Sequence, residues 1–187
     1  MRVISGAARG RTLHPPAGNR IRPTADRVKE AVFSSLASKF GSFVGLTILD
    51  LFSGSGSLGI EALSRGSKSA VFVDSHPDSI RLSRENLKLT GFDKAATLIM
   101  MDAVKGLQHL SNIGMTFDIV LADPPYADKE MTDRVIRLLG ELNLTSRDGV
   151  LVFETDNKCE LQPPDKFQLS SRKVYGDTAI WMFYRID

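Results

Sequence analysis

The chain has 187 residues, 42% of them hydrophobic and 25% charged, which suits one globular domain with a core of its own. No apolar run approaches the ~18 residues that a membrane-spanning helix needs, and Cys159, as the single cysteine, excludes an internal disulfide. Net charge is only +2, yet residues 1–29 hold seven bases against one acid, Asp26, a balance of +6 that leaves −4 for the remainder.

The opening "MRVISGAARGR" lacks the apolar core of a secretion signal, so with the lone cysteine the expected location is the cytoplasm. Residues 1–22 read as a basic extension in which the first twenty form a small hairpin around Gly6 and Gly10. Arg2, Arg9, Arg11 and Arg20 are its candidate contacts to a polyanion such as RNA; the alternative is a solvated basic terminus. The remainder, 23–187, is expected to be one domain. It begins with "TADRVKEAVFSSLASKF" (24–40), a helix that Thr24 can cap with Pro23 just outside.

From residue 47 strands and helices alternate. "TILDLF" (47–52), "SAVFVD" (69–74), "ATLIMMD" (96–102), "FDIVLAD" (117–123) and "GVLVFET" (149–155) are short, continuously hydrophobic runs, the pattern of strands buried on both faces. Between them "LGIEALSR" (58–65), "PDSIRLSRENLKLTG" (77–91), "AVKGLQHLSN" (103–112) and "DKEMTDRVIRLLGEL" (128–142) carry apolar residues at helical spacing. The alternation predicts an α/β fold with a mostly parallel, doubly wound sheet and helices on both faces. "FQLSSRKVYGDTAIWMFYR" (167–185) breaks the rhythm and predicts an antiparallel hairpin joined at "YGD" (175–177) on the sheet edge, for seven strands in all.

Ligands of such sheets bind beyond the carboxyl ends of the strands. Asp50, Asp74, Asp102 and Asp123 lie at or near that rim in the first four strands. Any one of them can be a helix cap or turn residue; four together call for a ligand with many donors. After Asp50, "LFSGSGSLGIEAL" has Gly54, Gly56 and Gly59 in the G-x-G-x-x-G spacing between strand and helix, so the backbone can turn tightly and approach a ligand. Asp74, eighteen residues past Gly56, is placed to accept ribose hydroxyls. A nicotinamide dinucleotide and S-adenosylmethionine both fit that much. Asp50, which can face a cationic amino acid moiety, and Asp102, near an adenine amino group, favour S-adenosylmethionine.

At the same rim "DPPY" (123–126) ends the fourth strand. Pro124 and Pro125 have no N–H, so the stiffened tip offers acceptors only. The Asp123 carboxylate and the Pro124 carbonyl can hold the two hydrogens of a nucleobase amino group and aim its lone pair, and Tyr126 offers a face for the base to stack on. A Pro-Pro turn alone would account for neither the acid nor the aromatic ring.

These features resemble the class I S-adenosylmethionine-dependent methyltransferases with a D/N-P-P-Y/F motif. Within that class the chain is most similar to the RsmD group, the bacterial 16S ribosomal RNA guanine-N2 methyltransferases. The likeness rests on "RVISGAARGRTLHPPAG", "RPTADRVKEAVFSSL", "LDLFSGSGSLGIEALSRG", "DPPY" and the "YGD" hairpin, nearly the whole chain. It implies a Rossmann-like fold and cofactor contact by Arg22, Pro23, Thr24 and Arg27, by Asp50 through Gly56 (Phe52, Ser53, Gly54 and Ser55 among them), by Asp74 and Ser75, by Asp102 and Ala103, and by Asp123. Asp123, Pro124, Pro125 and Tyr126 would form the base site. The implied substrate is a guanine, at position 966 of 16S rRNA, in a partly assembled small subunit, modified by a monomer through in-line displacement without metal.

Other readings stay open on the residues alone. A related enzyme acting on another RNA guanine or on DNA adenine would keep every cofactor residue and DPPY. A nicotinamide-dependent oxidoreductase would use only the glycines, and a non-catalytic RNA-binding protein only the basic extension. No metal-ligand spacing occurs. His14 belongs to the basic segment, His109 to a helix and His76 near the adenine, while Cys159 is expected to be inert.

Overall fold

A computed structural model describes residues 1–16, 23–125 and 128–186, with the side chains of residues 23–25 outside that description. The sheet comprises β1 (Thr47–Leu51), β2 (Ser69–Asp74), β3 (Ala96–Met100), β4 (Phe117–Ala122), β5 (Thr145–Asp156), β6 (Phe167–Tyr175) and β7 (Thr178–Arg185), in the order β3-β2-β1-β4-β5-β7-β6. The first five strands are parallel, and β7 pairs antiparallel with both β5 and β6. Strand order reverses between β1 and β4, and that reversal opens a crevice at their carboxyl ends.

Alternation along the strands divides the core into two layers. Leu49 and Leu51 of β1 join Val71, Val120 and Phe153 against α4 (Ala103–Asn112) and α5 (Lys129–Glu141). Ile48 joins Phe72, Leu121 and Val152 on the opposite face, under α1 (Pro23–Phe40), α2 (Ser57–Ser64) and α3 (Pro77–Thr90). Both faces of β1 are therefore buried, which is why its sequence is an unbroken apolar run interrupted only by Asp50. Residues 1–16 double back through an antiparallel bridge between Arg2 and Thr12, and Val3, Ala8 and Leu13 enter the second layer.

Several boundaries differ from the sequence expectation: β1 ends at Leu51, β3 at Met100 and β4 at Ala122, so Asp102 and Asp123 follow their strands, and two starts shift as well. The first helix starts at Pro23, so Thr24 lies inside it and is not its cap; proline suits that first helical position because its missing N–H would have no intrahelical partner. β5 starts at Thr145, four residues before the apolar run, because Thr145 pairs with Phe117 ahead of a register shift on β4. The residues 146–148 of that extension are half-buried or exposed and carry no hydrophobic signal. Among the described residues no helix is long and apolar enough to cross a membrane.

Candidate active site

A cleft of about 710 Å³ opens at the carboxyl ends of the strands. Its wall is Phe52 after β1, Asp74, Ser75 and His76 at the end of β2, Asp102 and Ala103 after β3, Asp123, Pro124 and Pro125 after β4, and Asp128 and Met131 at the start of α5. Chain segments far apart in sequence thus converge on one site. Asp50 and residues 53–56 do not line the open cleft, nor does Arg27, an exposed residue of α1. Arg20, Arg22 and Tyr126 lie outside the described residues, as does the side chain of Thr24.

The loop after β1 is built by bonds from several directions. Phe52, Gly54 and Gly56 all have positive φ, and at Phe52 this left-handed geometry costs a side-chain-bearing residue about 1–3 kcal/mol. The bonds holding it run to β2 and α3. Ser53 N donates to Val73 O at 3.2 Å and Gly54 N to Asp74 Oδ2 at 2.9 Å. The other Asp74 oxygen accepts His76 N at 2.9 Å. From behind, Ser83 Oγ donates to Gly54 O at 2.9 Å and Asn86 Nδ2 to Ser55 O at 2.9 Å. Gly59 lets α2 approach the sheet closely, since a Cβ there would stand 2.3 Å from the Phe72 ring.

Asp50 is buried behind this loop with Oδ2 accepting Gly59 N at 2.8 Å. Desolvation pushes its carboxyl up to about 8, aided by Asp74 and opposed by the Gly59 N–H. Asp50 therefore stands behind the glycine loop and not on the cleft wall. Asp102 caps α4, its Oδ1 accepting Val104 N at 3.0 Å and Lys105 N at 3.3 Å, and it lines the cleft as well. His76 likewise caps α3 through Nδ1, which accepts Asp78 N at 3.2 Å.

Asp123 stands past the end of β4, beside the ends of β1 and β5. Parallel registers of Leu51 with Ala122 and of Ala122 with Phe153 put the next residues, Phe52, Asp123 and Glu154, in a row across the rim. The Asp123 residue is exposed to the cleft, yet protein atoms crowd its carboxyl. Desolvation, then Glu154, then Asp50 push its pKa well above the ordinary value of 3.8. Pro124 is buried and Pro125 exposed. Sequence reasoning missed Glu154, although an acid near the carboxyl end of the fifth strand extends the pattern of the first four.

It also missed the residues that dock the N-terminal segment. Glu61, fully buried on α2, accepts Ile4 N at 2.7 Å and Ser5 N at 3.1 Å and pairs with Arg65 at 2.8 Å and Lys29 at 3.8 Å. Lys29 Nζ donates to Arg2 O at 2.6 Å, and burial lowers its pKa while Glu61 and Asp26 raise it. Gly6 lies so close to α2 that a Cβ would overlap Ser64 O. Arg2 pairs with Asp26 at 3.2 Å; Arg9 and Arg11 are exposed.

Among the described residues the cleft wall carries the carboxylates of Asp74, Asp102, Asp123 and Asp128 and no lysine or arginine. That chemistry suits a ligand with cationic and hydroxyl groups and opposes a pyrophosphate. The Ser53 hydroxyl, buried in the glycine loop, has no hydrogen-bond partner among the described residues. Among the described residues no three His, Cys, Asp or Glu side chains are placed to hold a metal ion.

The family model described as "Conserved hypothetical protein 95" matches residues 1–184. The chain is 36% identical over 184 residues to the "Putative rRNA methyltransferase YlbH" of Bacillus subtilis (strain 168), covering 98% of each. It is 33% identical over 177 residues to the "Ribosomal RNA small subunit methyltransferase D" of Haemophilus influenzae, covering 94% of this chain and 89% of that one. Among solved structures, the "Putative methyltransferase yhhF from Escherichia coli" superposes with a TM-score of 0.84 at 30% identity, covering 99% and 97% of the two chains.

Proposed function

The chain belongs to the RsmD-like methyltransferase family described as Conserved hypothetical protein 95, whose cofactor is S-adenosylmethionine, and from that premise we propose that it methylates the exocyclic N2 of a guanine in 16S ribosomal RNA. The proposed target is guanine 966, presented by a partly assembled small subunit to a monomeric enzyme in the cytoplasm. The observation that carries this reading is Asp123-Pro124-Pro125 at the mouth of an acidic cleft shared with Asp74 and Asp102.

Asp74, Ser75, Asp102 and Ala103, with the loop Phe52–Gly56 and Asp50 behind it, would hold the cofactor; Arg22, Thr24 and Arg27 are proposed further contacts. The cofactor supplies an electrophilic methyl group. The chain's own task is to present the nucleophile. A guanine amino nitrogen is poorly nucleophilic because its lone pair is delocalised into the ring. With one hydrogen held by the Asp123 carboxylate and the other by the Pro124 carbonyl, the nitrogen can become tetrahedral and direct its lone pair into the cleft. Pro125 stiffens the tip, and Tyr126 would stack on the base. After transfer the nitrogen's surplus proton passes to Asp123 or to water. A paired guanine hides its amino edge, so the base must be flipped or already unpaired. Arg2, Arg9, Arg11 and Arg20 would hold the RNA backbone.

Mass mapping of methylated nucleotides in small-subunit RNA from cells with and without the protein tests the reading. Loss of a single N2-methylguanine supports it; an unchanged map overturns it. Incubating the protein with small subunits, naked rRNA and DNA separates the substrate from those of related amino methyltransferases.

A further inference from the structure

Asn86 is fully buried on α3 and all its amide hydrogens are used. Its Nδ2 donates to Ser55 O at 2.9 Å and to His14 O at 3.1 Å, while Oδ1 accepts His14 N at 2.8 Å. One side chain therefore joins the glycine loop to the N-terminal segment through Ser55 and His14, which are 41 residues apart in the chain. The same two stretches meet again where Ser55 Oγ approaches Met1 Sδ at 3.6 Å. One turn earlier on α3, Ser83 holds Gly54 O and makes no such link to residues 1–16.

We propose that Asn86 is a positioning residue for cofactor binding, tying the N-terminal segment to the glycine loop so that the two are ordered together. Moving either stretch would leave a buried amide group without a partner, and a buried orphan is disfavoured. Neither Asn86 nor any residue of 1–16 lines the cleft, so the effect reaches the cofactor through the position of Ser55 and its neighbours. Residues 1–16 carry the exposed Arg9 and Arg11, which makes the link a route by which an occupied cofactor site steadies the segment that meets RNA. The inference rests on the cofactor reading given above.

Hydrogen exchange of residues 1–14, measured with and without S-adenosylhomocysteine after calorimetry has established that it binds, is the test. The Leu13 and His14 amides, which donate to Met1 O and to Asn86, should exchange at least about fivefold more slowly when the ligand is bound. Asn86→Ala should abolish that protection and raise KM for S-adenosylmethionine about tenfold while kcat at saturation stays within about threefold. Ser83→Ala, which loses only the bond to Gly54, should weaken binding yet keep the protection. Unchanged exchange in the parent protein with ligand bound overturns the inference, whether or not Asn86→Ala folds. Absence of binding overturns the cofactor reading itself, and this inference with it.

Discussion

Asp74 and Gly54 are joined across the ends of two strands by a 2.9 Å bond from the Gly54 N–H to the Asp74 carboxylate, while the other carboxylate oxygen takes the N–H of His76. One side chain therefore shapes both the glycine loop and the turn after β2. Asp74→Ala should lower affinity for S-adenosylhomocysteine by about 1.5–3 kcal/mol, the scale of a lost hydrogen bond to a charged group. Asp74→Asn, which keeps one acceptor, should lose less. Calorimetry on the three proteins measures this, and equal affinities would remove Asp74 from the site.

Asp123 should act on the base more than on the cofactor. Asp123→Ala is expected to lower kcat by about 10²-fold or more, with cofactor affinity within a few-fold of the parent. Single-turnover methylation and calorimetry together check the split.

The same residue sets a pH dependence. Ionised, its carboxyl is the stronger acceptor for the amino group and can take up the surplus proton, and desolvation, Glu154 and Asp50 raise its pKa. Activity should therefore fall as pH drops through that raised pKa, giving kcat/KM an acid limb above the ordinary carboxylate range. Glu154→Gln removes one like charge and should move the limb to lower pH. A limb unmoved by Glu154→Gln would detach Glu154 from Asp123.

Asp50 makes the opposite kind of statement, about folding. With a pKa near 8 when folded and 3.8 as the ordinary value, it holds a proton in the native state that the unfolded chain has released between those limits. Stability should fall by about 1.4 kcal/mol per pH unit from this group as pH rises across that window, and level off above it. Asp50→Asn keeps an acceptor for Gly59 N and should abolish this contribution. Urea unfolding of both proteins at pH 5, 6 and 7 compares the slopes.

Arg9 and Arg11 are exposed on the docked N-terminal segment. Replacing both with Gln should weaken binding to small subunits and reduce the slope of log affinity against log salt by about 1.5–2, leaving cofactor affinity intact. An unchanged slope would make these arginines a solvated surface.

By itself the sequence determined the layered α/β architecture, because buried parallel strands need unbroken apolar runs and covering helices need period-3.6 patterns, and both are local signals. It also determined which chemistry stands at the rim, since Asp74, Asp102 and Asp123 each end a run and the prolines of 124–125 exclude N–H donors at the tip. What the tertiary structure decided was the partnership of those residues. That Asp102 caps a helix while lining the cleft, that Asp50 sits behind the glycine loop and not on the wall, and that Glu154 stands beside Asp123 all depend on the packing of α2 and α4 and on strand register between distant segments. The N-terminal segment is the clearest case. Its charge is legible residue by residue, but the acceptors that hold it, Glu61, Ser64 and Asn86, lie more than fifty residues away and look like ordinary helix positions. Buried polar groups find their partners through space, and no local pattern encodes that pairing.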